Sequence, residues 1–198
     1  MIQRQRLMFF KQNYCMKKLV VIDGNAILHR AWHAIPPTLT TKDGTIVNAA
    51  YGFVSILLKV IADLKPDYFI VTWDTAAKTF RAEKYADYKG TRVKQDQELY
   101  DQIPIIQKIM DAFSIPNLFL DGFEADDVIG TIAHQVRSDK KIETIIETGD
   151  LDSLQLVDKS TKIYTLKKGI SETMIYDEDA VYARYGLRPN PIIDFNAL

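Results

Sequence analysis

Four short apolar runs, Leu19–Ile22, Tyr68–Trp73, Ile115–Leu120 and Ile142–Glu147, alternate with longer stretches of helical spacing, and this alternation narrows the fold more than any other feature. The first run, Leu-Val-Val-Ile, has no polar alternation, as a strand buried on both faces of a parallel sheet requires. Ala26–His33, Asn48–Leu64, Glu98–Phe113 and the stretch from Val128 to Ser138 read as the crossover helices. The expected class is therefore α/β, with a central, mostly parallel sheet. Pro36-Pro37 and Asp43-Gly44 mark a loop after the first helix, and Pro66 closes the second. Pro104 falls inside the third and weakens its start. Lys162–Leu166 and Thr173–Tyr176 read as a hairpin or two edge strands around Lys167-Lys-Gly169. Asp177 starts a further helix, Gly186 ends it, and Pro189 begins another helical turn.

The ends of the runs share a second property: they deliver acids. Leu19–Ile22 runs into Asp23, and Tyr68–Trp73 runs into Asp74. The third run leads into Asp121-Gly-Phe-Glu-Ala-Asp-Asp127, and the fourth into Thr148-Gly-Asp-Leu-Asp152. Taken singly, each aspartate reads as a turn residue or helix cap. In an open parallel sheet, however, the carboxyl ends of the strands are where ligands bind. If these ends share one edge, Asp23, Asp74, Glu124, Asp126, Asp127, Asp150 and Asp152 converge. Seven ionised carboxylates cannot share a partly dry site unless some are protonated or a cation binds. Asp121 reads as a turn or capping residue instead. Oxygen donors without an accompanying Cys or His group favour Mg²⁺ or Mn²⁺ over zinc, and His29, His33 and His134 do not form a ligand spacing.

Between the second run and the third helix the composition changes. From Lys78 to Lys94, six basic residues face two acids, a net of four positive charges, in a chain whose overall formal charge is −1. Phe80, Tyr85 and Tyr88 interleave with them. Rings among Lys and Arg suit a phosphate backbone with unstacked bases, whereas a solvated amphipathic helix with core aromatics is the plainer alternative. Gly90 and the lack of a sustained apolar stripe point to a loop or partly helical arch. A pair of divalent ions roughly 3.5–4 Å apart is suited to hydrolysing a phosphodiester, and Lys89 and Arg92 are placed to steer it. No Walker sequence is present, which sets aside a P-loop nucleotide-binding fold, and a phosphatase of another α/β class would leave the basic aromatic segment without a role.

The remaining bounds are simple. A chain of 198 residues that is 47% hydrophobic supports one substantial core, so residues 16–198 are read as one catalytic domain. Residues 1–15 hold only a four-residue apolar run, too short for a signal-peptide core, and are expected to be a disordered extension. No run approaches a membrane span, so no membrane partner is expected. The single cysteine, Cys15, suggests a reducing compartment, with the cytoplasm as the expected location.

Val21-Ile-Asp-Gly-Asn25, Tyr51-Gly-Phe53, Phe80-Arg81 through Tyr85, Tyr88-Lys89 to Arg92, Glu124-Ala-Asp-Asp-Val-Ile-Gly130 and Thr148-Gly-Asp-Leu-Asp152 occur in an order that resembles the 5′ nuclease domain of bacterial DNA polymerase I. The resemblance runs from about Lys17 to Leu198, and the combination is far more specific than any one motif. That family groups with flap endonucleases in a PIN-like, resolvase-like fold, which implies three α/β/α layers and a basic helical arch. The resemblance implies 5′-3′ exonuclease and flap endonuclease activity, with removal of RNA primers and displaced strands in replication and repair. It implies two bound ions: Asp23, Asp74, Glu124, Asp126 and Asp127 match the first cluster, and Asp150 and Asp152 the second. Tyr88, Lys89 and Arg92 match residues that meet the scissile region, with Arg81 similarly placed and Tyr85 in the same DNA-binding stretch. DNA with a 5′ flap or 5′ end, RNA-primed DNA and a covalently linked polymerase domain are the implied partners of a monomer.

Two departures stand out. Leu151 occupies a position usually basic in this motif. In the family, the sequence resembling Gly186–Leu198 is followed by further second-site carboxylates and a helix-hairpin that grips duplex DNA, so the 198 residues are expected to be C-terminally incomplete and impaired in cleavage. Two other classes fit parts of the pattern: a noncatalytic nucleic-acid-binding module and a PIN-type ribonuclease.

Overall fold

In the computed structural model the described residues are 16–85, 88, 96–167 and 172–192. Five parallel strands and one antiparallel strand form a single sheet in the order β3-β2-β1-β4-β5-β6, where β1 is Lys17–Asp23, β2 Tyr68–Thr72, β3 Asn117–Leu118, β4 Ile142–Glu147, β5 Thr161–Leu166 and β6 Thr173–Tyr176. β1 lies at the centre between β2 and β4, and from Leu19 onward every residue of it is buried. Period-two alternation splits its side chains. Val20 and Ile22 enter one core, and Leu19 and Val21 enter the other.

The first core is covered by α1 (Gly24–Ala34), α2 (Asn48–Leu64) and α5 (Ile103–Ala112). The second lies under α6 (Ala125–Val136), a 3₁₀ helix over Leu151–Leu156, and α7 (Glu178–Tyr185). The expected three-layer α/β/α arrangement around a mostly parallel sheet is thus the observed one. Each wholly buried Ile, Leu or Phe, such as Ile22, Leu57 and Phe53, contributes about 1.5–3 kcal/mol relative to exposure. Among the described residues no helix is long and apolar enough to cross a membrane.

Some elements differ from the sequence reading. The strand expected over Ile115–Leu120 narrows to Asn117 and Leu118, because only these pair with β2, and Leu118, Phe119 and Leu120 are left exposed at the sheet edge. The single helix expected over Glu98–Phe113 is two, α4 (Gln97–Tyr100) and α5, separated at Asp101–Gln102. Pro104 lacks an N–H, so it fits the unbonded first turn of α5 and cannot continue a helix from α4. Gln102, buried in this break, accepts from Ala50 N at 3.0 Å and donates to Asn48 Oδ1 at 3.1 Å. It thereby satisfies the start of α2, which Val47 does not cap with its side chain.

β5 and β6 resolve as an antiparallel pair, and Asp177 and Gly186 close α7 as expected, the aspartate accepting from Ala180 N and the glycine in left-handed geometry at φ 68°. Within the basic segment, Thr79 caps a short α3 (Phe80–Lys84). The arch expected around Gly90, and the extension expected over residues 1–15, lie outside the described residues.

Candidate metal centre at the carboxyl edge of the sheet

Each acid reaches the sheet edge through a local structure that its own side chain helps to form. Asp23 ends β1 and caps α1, accepting from Ala26 N at 3.0 Å. Gly24 permits the sharp entry into that helix: a Cβ there would stand 2.7 Å from Thr72 O and from the Trp73 ring. The same closeness brings the end of β2 alongside, where Asp74 N donates to Asn25 Oδ1 at 3.0 Å. Asp74 Oδ1 in turn accepts from Ala125 N at 2.7 Å, tying the β2 end to the first turn of α6. On the other side of β1, Thr148 donates its hydroxyl to Asp23 Oδ2 and accepts from Asp150 N, both at 3.0 Å. Asp150 caps the 3₁₀ helix by accepting from Asp152 N at 2.9 Å.

These links gather five of the seven expected carboxylates, Asp23, Asp74, Glu124, Asp126 and Asp150, around one cavity of about 180 Å³, with Asn25 and His29 completing its wall. Asp127 and Asp152 line a second cavity of about 480 Å³ between α6 and the 3₁₀ helix, together with Arg81 and His134. Asp126 belongs to both. Leu151 is partly buried against the second core, and Asp121 lies exposed in the turn before α6.

The electrostatics follow from crowding and burial. Asp23 holds its proton more tightly than an ordinary aspartate because it is buried, with Asp74 and Asp150 adding to the effect and the donors at Ala26 and Thr148 opposing it. Asp152 is raised by partial burial and by Asp150. Beneath the edge, Glu147 at the end of β4 is buried, and neither of its oxygens has a hydrogen-bond partner among the described residues. Its proton affinity is raised well above the usual value, by desolvation first and the Asp23 charge second, with Arg30 opposing.

On the basic side, Arg81 makes a two-pronged contact with Asp127, at 2.6 Å and 2.7 Å, and stands 3.9 Å from Glu124. Tyr88 donates its hydroxyl to Glu124 Oε2 at 3.2 Å, while Tyr85 is exposed. Lys89 and Arg92 lie outside the described residues.

Among the described residues, no three His, Cys, Asp or Glu side chains form a group able to hold a metal ion as they stand. The carboxylates at positions 23, 74 and 150 each accept from a backbone N–H donor. The donor set nevertheless suits a hard divalent cation, being oxygen-rich and mutually repulsive at Asp23, Asp74 and Asp150. Asn25 and Thr148 fall inside motifs that carry the resemblance, but the sequence gives no sign of what their side chains hold, and Glu147 carries no motif at all. The first two act through contacts with Asp74, Asp23 and Asp150, and the third reads as an ordinary strand end.

Comparison with known proteins agrees with this architecture. Residues 18–186 match the family model described as "5′-3′ exonuclease, N-terminal resolvase-like domain". The chain is 40% identical over 182 residues to DNA polymerase I of Bacillus subtilis (strain 168), covering 92% of this chain and 20% of that protein. Against DNA polymerase I of Caldicellulosiruptor bescii it is 39% identical over 183 residues, covering 91% and 21%. It thus spans about a fifth of the length of these relatives. In fold it is similar to a T5 5′-exonuclease with zinc ions bound (TM-score 0.67, 17% identity, 92% of this chain and 66% of the other). It is also similar to the catalytic core of Rad2 in complex with DNA substrate (TM-score 0.54, 17% identity, 89% and 52%). With 169 of its 198 residues spanned by the family model, the chain belongs to the family of 5′-3′ exonuclease N-terminal, resolvase-like domains.

Proposed function

We propose that this domain is a metal-dependent nuclease that hydrolyses DNA phosphodiesters as a 5′-3′ exonuclease and flap endonuclease, working in the cytoplasm on DNA with a 5′ flap or 5′ end. The observation that carries the proposal is the meeting of five carboxylates from four separate chain segments at one small cavity. Asp23, Asp74, Glu124, Asp126 and Asp150 are the residues that would hold divalent cations, Mg²⁺ or Mn²⁺ by donor chemistry, with Asp152 on the far side of Asp126 serving a second ion. Such ions, when bound, activate water and neutralise charge on the phosphate and leaving oxygen.

The chain's own residues supply the rest. Thr148 holds Asp23 and the Asp150 turn in register across the sheet edge. Asn25 and Ala125 hold Asp74 from both sides. Tyr85, exposed next to Lys84 in the chain, offers a ring for an unpaired base, and Tyr88 lies against Glu124 at the border of the cavity. A polymerase joined to the nuclease, as the names of the relatives suggest, would provide displaced strands and RNA-primed ends as substrates.

The test is cleavage of a 5′-flap DNA with and without Mg²⁺ or Mn²⁺. The expected result is metal-dependent release of the flap, reduced at least about tenfold by Asp126→Asn and by Asp23→Asn. Flap binding that needs no divalent cation and leads to no cleavage would instead identify a noncatalytic module. Faster cutting of a matched RNA flap would identify a ribonuclease.

A further inference from the structure

The contact between Arg81 and Asp127 assigns these two residues a role different from direct engagement of DNA or metal. Both Asp127 oxygens are occupied: Oδ1 accepts from Arg81 at 2.7 Å, and Oδ2 accepts from Arg81 at 2.6 Å and from Glu124 N at 3.0 Å. A carboxylate has about four acceptor positions, so three are taken by protein donors. A divalent ion approaching these oxygens would meet a guanidinium already within hydrogen-bond distance of them.

Arg81 is itself held from behind. Its guanidinium lies 4.6 Å from the Phe80 ring centre, and that ring packs on Phe123 at 5.6 Å. Phe80 N donates to Gly122 O at 3.0 Å, in the turn that leads into α6. Three independent contacts therefore fasten α3 to the start of α6: one backbone hydrogen bond, one ring pair and one two-pronged ion pair.

We propose that Arg81 is a positioning residue acting through Asp127. The pair clamps the base of the basic segment onto the first turn of α6 and fixes the direction in which Glu124 and Asp126 face the cavity, while Asp127 stays outside the set of cation ligands. The metal arm of this inference rests on the nuclease reading above; the clamp does not.

Mn²⁺ uptake by the full chain, followed by the electron paramagnetic resonance of free Mn²⁺, separates the roles by sign. Removing a positive charge beside a cation site should tighten binding if Arg81 only competes with the metal or contacts DNA. The clamp requires the opposite: Arg81→Gln and Asp127→Asn each weaken Mn²⁺ binding about tenfold, and the double variant is no weaker than either single one. Arg81→Lys, which restores charge but not the two-pronged geometry, should recover only part of the loss. Mn²⁺ binding that is unchanged or tighter in Arg81→Gln would overturn the proposal, as would losses that add in the double variant.

Thermal melting of the unaltered chain, the Arg81→Gln and Asp127→Asn singles and their double variant, all without metal, gives an independent reading. The singles should lower Tm by similar amounts and the double no further, whereas additive Tm losses would overturn the clamp. If the unaltered chain takes up no Mn²⁺, the metal reading fails while the melting cycle still decides the clamp.

Discussion

Glu147 is a buried acid whose charge the fold does not accommodate, and that makes its removal favourable. Below its ordinary pKa of 4.5 both folded and unfolded chains carry it protonated, and it costs nothing through ionisation. As pH rises past that value the unfolded chain ionises while the folded one stays neutral, so stability drains away up to the raised folded pKa. Glu147→Gln should therefore melt close to the unaltered protein near pH 4 and above it at pH 7, the gap widening with pH. A gap that shrinks with pH would show that Glu147 is ionised and paired in the folded state. Gly24 carries the opposite constraint. Its hydrogen faces Thr72 O and the Trp73 ring at a distance no Cβ can share. Gly24→Ala is expected to cost about 1–3 kcal/mol in urea unfolding, the range for overpacking a tight contact.

At the level of elements, the break between α4 and α5 gives Gln102 an influence on a helix distant in sequence. Its side chain serves Ala50 N and Asn48 at the start of α2 and also donates to Glu98 O at 3.0 Å. Gln102→Leu, similar in volume, would leave these buried groups unserved, and about 1–3 kcal/mol of stability should be lost in chemical denaturation. Hydrogen exchange should then show faster exchange at Ala50 and its neighbours, with α6 unaffected. A uniform loss of protection would place the role of Gln102 in general packing instead. The segment after β3 illustrates another property of short elements. With only Asn117 and Leu118 paired, Phe119 and Leu120 have no sheet partner on the outer side, although their apolar character made them read as strand.

Across the whole molecule, the layers were legible in the chain because each depends on local pattern. Leu19–Ile22 reads as a strand buried on both faces and Asn48–Leu64 as a helix with one apolar side, and each forms as read. The acids were legible for the same reason, each following an apolar run. What the pattern could not carry was what each acid meets in the folded chain. Asp126 and Asp127 are adjacent in sequence, and Asp127 meets Arg81, 46 positions away. Gln102 and Asn48 are likewise brought together by tertiary packing across 54 positions. Spacing along a chain reports which side chains share a face; it does not report what approaches that face from elsewhere.

The central pairing of β1 with β4 also has a bearing on when the molecule acquires its acidic edge. Asp23 and Thr148 are 125 positions apart, so their hydrogen bond closes a very long loop, whereas Asp23 and Asp74 are joined by the much nearer β1–β2 pair. Contacts of such separation form late, because the entropy of closing the loop must be lost before the contact is gained. One half of the carboxylate cluster is then expected to assemble early and the other only as the sheet is completed. Electrostatic repulsion at the edge is then expected to slow the last stage of folding, and refolding should run faster with Mg²⁺ in the medium than with a chelator.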